Sequence, residues 1–395
     1  MSTTPAESRT TPWILPAAGM VGTLPFITRR VGDPDYWWHT LTGQLIVHNR
    51  ALVRTELYTY TVNGTSWTDH EYGSQILFYA LTRAGGLLGV AVFFAAVIWA
   101  SFAFLLLRMR ERVVSPFVAA VALVLGAGAG FAVWNPRVQM FDVLFIAIEL
   151  WWIERFLKAK GRAFYFLPLL VLLWANMHGG FVFAFLVLGV LCVTLAVHWL
   201  LERSSSAGRM LRHALLIAAA CVVASLITPW GLGLFVYVWK TQFSSQQSSF
   251  IAEWQSPDFH MTNVLPFEIM LLLFVVGFIW RRPTLFDVLM TLTGLVLAFS
   301  AVRFIVVFVV VAVPVLAWQW TPAWVRFTVW LRESGRLTAG VASLRSAGLV
   351  ALVVIAAGCV GFAGYTLRGQ TASTDANYPV AAAGWLTSHP ACGTR

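Results

Sequence analysis

Two carboxylates one residue apart, Asp33 and Asp35, stand in the run Gly32-Asp33-Pro34-Asp35-Tyr36-Trp37-Trp38-His39. A carboxylate in such a place can act as a general base, taking the proton of an acceptor hydroxyl as it attacks. A close pair can also hold a divalent cation, although nothing in the sequence requires one. Plainer roles fit the same residues: Asp35 suits the N-cap of a helix starting at Tyr36, and Asp33 before Pro34 is a turn signal. The catalytic role goes to Asp33, Asp35 stays divided between cap and site, and which of the two is the base is left open.

Further polar residues join them. Thr68-Asp69-His70-Glu71-Tyr72 places three ionisable groups just before an apolar helix, where they could orient a base, bind a metal or hydrogen-bond a sugar, or simply be solvated. Arg137, in Trp134-Asn135-Pro136-Arg137, and Arg303 stand isolated in short turns between apolar blocks. The planar guanidinium fork suits phosphate oxygens, and of the two Arg137 is the better phosphate ligand; a lipid headgroup contact is the alternative for each. Trp174-Ala175-Asn176-Met177-His178-Gly179-Gly180 adds Asn176 and His178 in a tight turn, and Ile251-Ala252-Glu253-Trp254 sets a carboxylate beside an aromatic platform suited to carbohydrate. Together with His39 these residues form the expected substrate site.

The elements that must position them are membrane helices. Of 395 residues, 59% are hydrophobic and 11% charged, under half the charge of a soluble domain, which is about 25%. Apolar blocks recur at about the length a helix needs to cross a hydrocarbon core of roughly 30 Å. In lipid the backbone must satisfy its own hydrogen bonds, so these blocks are helices. Eleven are read, at 13–28, 86–107, 115–133, 139–154, 164–177, 181–201, 214–234, 266–280, 284–301, 304–320 and 346–366. Many of the 19 Trp residues sit at block ends, as interfacial belts require. The fold class is therefore an all-α, polytopic membrane protein.

With the N-terminus cytoplasmic, Arg9 and the inner loops 108–114, 155–162, 202–213, 281–283 and 321–345 hold 17 of the 27 Lys and Arg. This bias sets the orientation and puts the C-terminus outside. All the polar residues singled out then fall on the outer side, where they can line one cavity. The net charge of +10 lies in these short connections rather than in a stripe with stacking aromatics, so no nucleic acid is implied. Residues 31–85 form a long first outer loop with interfacial helices at Tyr36–Asn49 and Tyr72–Arg83, the second ending at Gly85-Gly86. A second outer loop spans 235–265. Residues 1–366 make the transmembrane domain, and 367–395 a short outer tail or the start of a soluble domain. Cys192, Cys221 and Cys359 lie in apolar blocks and Cys392 near the end, a spacing that gives no disulfide framework or metal knuckle.

This layout resembles the glycosyltransferase C (GT-C) superfamily, polytopic enzymes that use polyprenyl-phosphate sugars. More closely, DPDYWWH, TDHEY, NPRVQMF, WANMHGGF and EWQSP resemble a group of bacterial GT-C-like membrane proteins. The resemblance implies a plasma-membrane glycosyltransferase that moves a sugar from a polyprenyl-phosphate donor to a glycan, lipid or protein acceptor outside. It matches Asp33 to the catalytic acidic position after the first helix. The rival reading is a transporter or lipid flippase, which expects ionisable residues at membrane depth; Glu149, His198 and Asp287 are its candidates.

Overall fold

The computed structural model describes residues 14–334, 341–370, 374 and 378–389, and among these the regular structure is helical apart from one isolated bridge between Thr55 and Ser66. Trp13, Arg9 and Cys392 lie outside the described residues. In chain order come α1 (Ile14–Gly22), α2 (Leu24–Ile27), α3 (Asp35–Asn49), α4 (Tyr72–Glu111), α5 (Pro116–Ala129), α6 (Met140–Leu157), α7 (Leu167–Ala175) and α8 (Val182–Glu202). They are followed by α9 (Ser205–Ser225), α10 (Leu232–Gln242), α11 (Ser245–Phe250), α12 (Leu265–Gly277), α13 (Leu285–Ser300), α14 (Ile305–Glu333), α15 (Val341–Arg368) and α16 (Val380–Ser388).

Each apolar block expected to be a helix overlaps one of these, and five helices among the described residues are long and apolar enough to cross a membrane. The axis of the bundle is α14: 83% of its apolar stretch is buried, because it packs on α4, α5, α6, α12 and α13. A helix surrounded on all sides by other helices has no polar face to spare, and from Ile305 to Ala317 its side chains are buried all round.

Three boundaries differ from expectation. Block 214–234 is displaced, since α9 starts at the Ser204 cap, whose side chain accepts from the Ala207 N–H. Arg209 and Arg212 are thus helical rather than in a loop, and the helix ends at Ser225, ahead of the Pro229–Gly231 turn in which Gly231 takes φ +49. The loop expected over 235–265 opens with α10, and α14 runs through Pro322 to Glu333 into the connection expected over 321–345. The break expected at Gly85-Gly86 is present. Gly86 takes φ 59 and ψ −157 inside α4, a conformation essentially closed to side chains, and divides the part packed on α3 from the apolar part beyond.

At the end of the bundle remote from Asp33, Arg112 donates from Nε to Glu154 Oε2 at 2.8 Å and from Nη1 and Nη2 to Asp287 at 3.0 and 2.8 Å. Arg108, fully buried, lies 3.7 Å from Glu154 and 3.9 Å from Asp287. This network ties α4, α6 and α13, so Asp287 is a structural anchor in the first turn of α13 rather than a group along a transport path. His198 pairs with Glu202 at 2.9 Å on the exposed face of α8. Glu149 is enclosed in the bundle, with neither carboxyl oxygen hydrogen-bonded among the described residues. Removing one partner of a buried ion pair leaves a charge uncompensated. Asp287→Ala should therefore cost about 3–5 kcal/mol, read as a lower midpoint in denaturant or thermal unfolding of the purified protein.

Candidate functional site

The site is built on α3, on the segment leading into α4 and on two turns that face them. Asp33 Oδ1 accepts the N–H of Asp35 at 2.9 Å, so the capping contact expected of Asp35 falls to Asp33. Asp35 instead lies in the first turn of α3, half exposed, and accepts from Trp38 Nε1 at 3.1 Å. Along α3, Tyr36, His39, Thr42 and Ile46 face inward. Trp37 and Leu41 stay 43% and 45% exposed, the apolar outer stripe of a helix lying in an interface. Tyr36 fixes α3 on α4 through a 2.8 Å hydroxyl contact with Thr82, and His39 stacks on Phe78.

Arg137 is gripped by three carboxylates. It forms ion pairs with Asp33 and Glu253, and its Nη2 lies 3.4 Å from Asp35. These partners come from segments more than a hundred residues on either side of it in sequence. With its nitrogens so engaged, Arg137 is poorly placed for the phosphate role expected of it. Asp33, 4% exposed, lies beneath it against a crevice of about 10 Å³, room for one water at most. Its carboxylate is thus turned to Arg137 rather than to the wall of the large cavity described below.

Glu71 is the second hub. Its Oε1 lies 3.2 Å from both His70 Nε2 and His178 Nε2, and its Oε2 3.6 Å from His39 Nε2. Burial opposes its charge, but the imidazoles of His70 and His39 and hydrogen bonds from His178 and His70 outweigh it and hold its pKa well below the usual glutamate value. His39 is driven the other way: burial lowers its pKa against the pull of Glu71 and Asp35. Burial also lowers the basicity of His178, yet Asp142 and Glu71 on its two nitrogens raise its pKa to about 10. His178 Nδ1 lies 2.8 Å from Asp142 and also meets the Gly180 N–H at 3.1 Å, while Nε2 lies 3.2 Å from Glu71. Asp69, set back and bonded to Gln75 Nε2 at 2.7 Å, has its pKa pushed up to about 6 by burial. The double glycine after His178 has a steric cause, since a Cβ on Gly180 would sit 2.3 Å from the Asp142 carboxyl.

These groups border a cavity of about 1190 Å³. Arg137, Glu253, His70, His178 and Asp142 reach its wall, and Phe183, Leu186, Phe235 and Val306 make it apolar elsewhere. Arg303 also reaches it, its guanidinium 3.7 Å above the Trp254 ring and 4.9 Å from Phe304. Among the described residues Arg303 has no carboxylate within salt-bridge distance and no hydrogen bond to protein. A cation held on a ring face is oriented without being neutralised. Of the two guanidiniums on this wall, Arg303 is thus the one without a carboxylate partner among the described residues. Asn176 serves packing instead: it accepts from the Tyr72 hydroxyl and donates to the Leu172 and Ile227 carbonyls at 2.7 and 3.0 Å, clasping α7 to the start of α4.

Neither a protein-family model nor a curated protein matches the chain by sequence. In fold it is similar to the archaeal oligosaccharyltransferase AglB from Archaeoglobus fulgidus, solved with an inhibitory peptide and a dolichol-phosphate. The TM-score is 0.55 at 15% identity, and the match covers 91% of this chain. The fold is GT-C-like. The chain spans about half the length of that protein, 55% of it.

The sequence reading of this GT-C-like chain missed Asp142, hidden in the first turn of an apolar helix, although an acid five residues after Arg137 and ahead of a full apolar block was a usable sign. Tyr237 and Lys240, which also line the cavity, sit on α10, where a loop was expected. Replacing the clasp by Asn176→Leu should destabilise the protein by about 1–3 kcal/mol, the cost of leaving the Tyr72 hydroxyl and two carbonyls short of partners. Thermal unfolding in detergent measures this, and a role in binding substrate would instead appear as a changed affinity at unchanged stability.

Proposed function

We propose that the chain is a membrane glycosyltransferase that moves a sugar from a polyprenyl-phosphate donor to an acceptor hydroxyl at the end of the bundle carrying Asp33. The observation that carries this reading is Arg303, an arginine without a carboxylate partner, laid on Trp254 at the wall of a large, mainly apolar cavity that also holds carboxylates and imidazoles. A lipid-linked phosphate offers matching parts: a chain for the apolar surface and an anion for the guanidinium. By the distribution of basic residues in the sequence, that end faces outward across the plasma membrane. Residues 1–366 would form the catalytic transmembrane domain.

The acceptor oxygen attacks the anomeric carbon of the sugar, the bond from that carbon to the phosphate oxygen breaks, and the lipid phosphate leaves with the electron pair. Arg303 meets the charge that grows on the phosphate, where a preorganised donor in a dry site acts most strongly. Glu253, the carboxylate that Arg137 presents on the cavity wall, takes the acceptor's proton. Asp33 and Asp35 act through Arg137 by holding it in place. Trp254 and His70 offer a ring face and an imidazole to the sugar.

His70, Glu71 and His178 also fit a divalent cation: one donor atom from each lies within 4.8 Å of the others. The 3.2 Å separations from Glu71 Oε1 are close to the ligand spacing of a tetrahedral site with bonds of about 2.0–2.1 Å. Asp142 on the far nitrogen of His178 is the outer carboxylate that orients such a ligand. A cation there would polarise a phosphate or hydroxyl oxygen. The same distances also describe ion pairs, and metal analysis of the purified protein separates the two: a near-stoichiometric divalent metal lost in His178→Ala supports the centre, and a metal-free protein of full activity removes it.

Transfer from a polyprenyl-phosphate sugar in reconstituted membranes tests the reading. Glu253→Gln should lower kcat by about 10²–10⁴-fold with little change in donor KM. Arg303→Leu should lower kcat/KM for the donor by about 10²–10³-fold. Full transfer by Arg303→Leu would sink the phosphate assignment, and undiminished transfer by Glu253→Gln would remove the base.

A further inference from the structure

The described part of α15 contributes almost nothing to the core. Only 6% of its apolar stretch, within Val350–Arg368, is buried, and it touches the bundle mainly along α1 and α2. At its site end, however, it meets the acidic loop through a set of directed bonds. Arg30 Nε donates to the Thr366 carbonyl at 2.6 Å. The side-chain amide of Gln370 grips Val31 in both directions, accepting its N–H at 2.8 Å and donating to its carbonyl at 2.9 Å. The Tyr378 hydroxyl donates to the Gly32 carbonyl at 3.0 Å, and its ring meets Trp37 edge-on at 5.6 Å.

All of these partners belong to residues 30–37, and most lie in the stretch 28–34, which has no regular structure of its own and joins α2 to α3. A buried backbone N–H and carbonyl must find partners somewhere. At Val31, itself 4% exposed, the two bonds come from one side chain that is 5% exposed and more than three hundred residues away in sequence. The amide thus does for one residue what a neighbouring strand would do. Two residues on, Asp33 reaches Arg137, which holds Glu253. The bonds run in one chain from Gln370 through Val31 and Asp33 to the cavity wall.

We propose that Gln370 is a positioning residue, and that the end of α15 with the residues just after it serves to brace the loop carrying Asp33 rather than to complete the bundle. The activity arm of its test rests on the sugar-transfer reading above, but the structural arm does not. Gln370→Met keeps the length and volume of the side chain and removes both bonds. Tyr378→Phe removes a single hydroxyl and leaves the ring on Trp37, a change too small to unfold the chain. Both are made in the full chain in lipid nanodiscs.

Hydrogen exchange should report the Val31 amide about ten- to a hundredfold faster in Gln370→Met, with the protection of α14 unchanged, and a smaller rise around Gly32 in Tyr378→Phe. Transfer should lose about tenfold in kcat in Gln370→Met while donor KM stays within about twofold, because Arg303 and the apolar wall are untouched. Exchange in residues 28–37 that matches the wild type in both variants overturns the brace, and so does a fall in kcat without faster exchange there. If the wild type transfers no sugar, the enzymatic reading fails by itself, and the exchange data still decide whether the loop is braced.

Discussion

One guanidinium holding carboxylates from two loops is the interaction on which the site depends. Arg137 meets Asp33 and Asp35 on the chain entering α3 and Glu253 on the chain between α11 and α12. Neither loop has a core of its own, and each is pinned where it crosses the arginine. The arrangement is also unbalanced, with three carboxylates around one cation, so the surroundings must supply further positive charge. Arg303, on the wall of the same cavity, is the nearest cation without a carboxylate partner among the described residues. Such mutual dependence makes the site one electrostatic unit: no member can be removed without leaving another exposed to a low-dielectric surrounding.

Charge is concentrated at two ends of the bundle with different purposes. At the remote end, Arg108, Arg112, Glu154 and Asp287 are all buried and paired, and they close the gap between three helices. Every carboxylate there is held by an arginine, although Nε and Nη1 of Arg108 are buried without a hydrogen bond among the described residues. At the site end the pairing is incomplete by construction. His39 Nδ1, His70 Nδ1 and one oxygen of Asp69 are buried without a hydrogen bond among the described residues, and Arg303 rests on a ring. Unmet capacity beside a large cavity is what binding a polar ligand uses.

How much of this the sequence disclosed depends on the range of the interaction. Helix positions rest on local hydropathy, and the Gly85-Gly86 break rests on local backbone freedom, so both were readable. The nine-residue displacement of α9 was not, because a serine cap and a later Pro229–Gly231 turn outweighed the centre of the apolar block. That Asp33, Asp69, His178, Glu253 and the two arginines lie at one end followed from alternating the helices across the bilayer. Their pairing did not follow. Arg137 looked free because Asp33 and Glu253 are each over a hundred residues from it, and nothing local to Arg303, read as a phosphate or headgroup contact, disclosed its place on Trp254. Gln370 carried no sign at all, since a glutamine just past an apolar helix is commonplace until its backbone partner is seen.

The adjacent pair Glu253-Trp254 explains why two arginines in one cavity behave differently. A carboxylate and an aromatic ring each attract a guanidinium, the first by neutralising it and the second by its quadrupole. Arg137 takes the carboxylate, and Arg303 is left with the ring face. Because the ring accepts no proton and carries no net charge, Arg303 keeps its N–H groups and its full positive charge for an incoming anion. Had Glu253 been unclaimed, it would compete with any anion for Arg303 from the neighbouring position on the same short loop. On the proposed reading, the anchoring of Glu253 by Arg137 is therefore a condition for anion binding by Arg303, and through Asp33 and Val31 that condition reaches back to Gln370, just past α15.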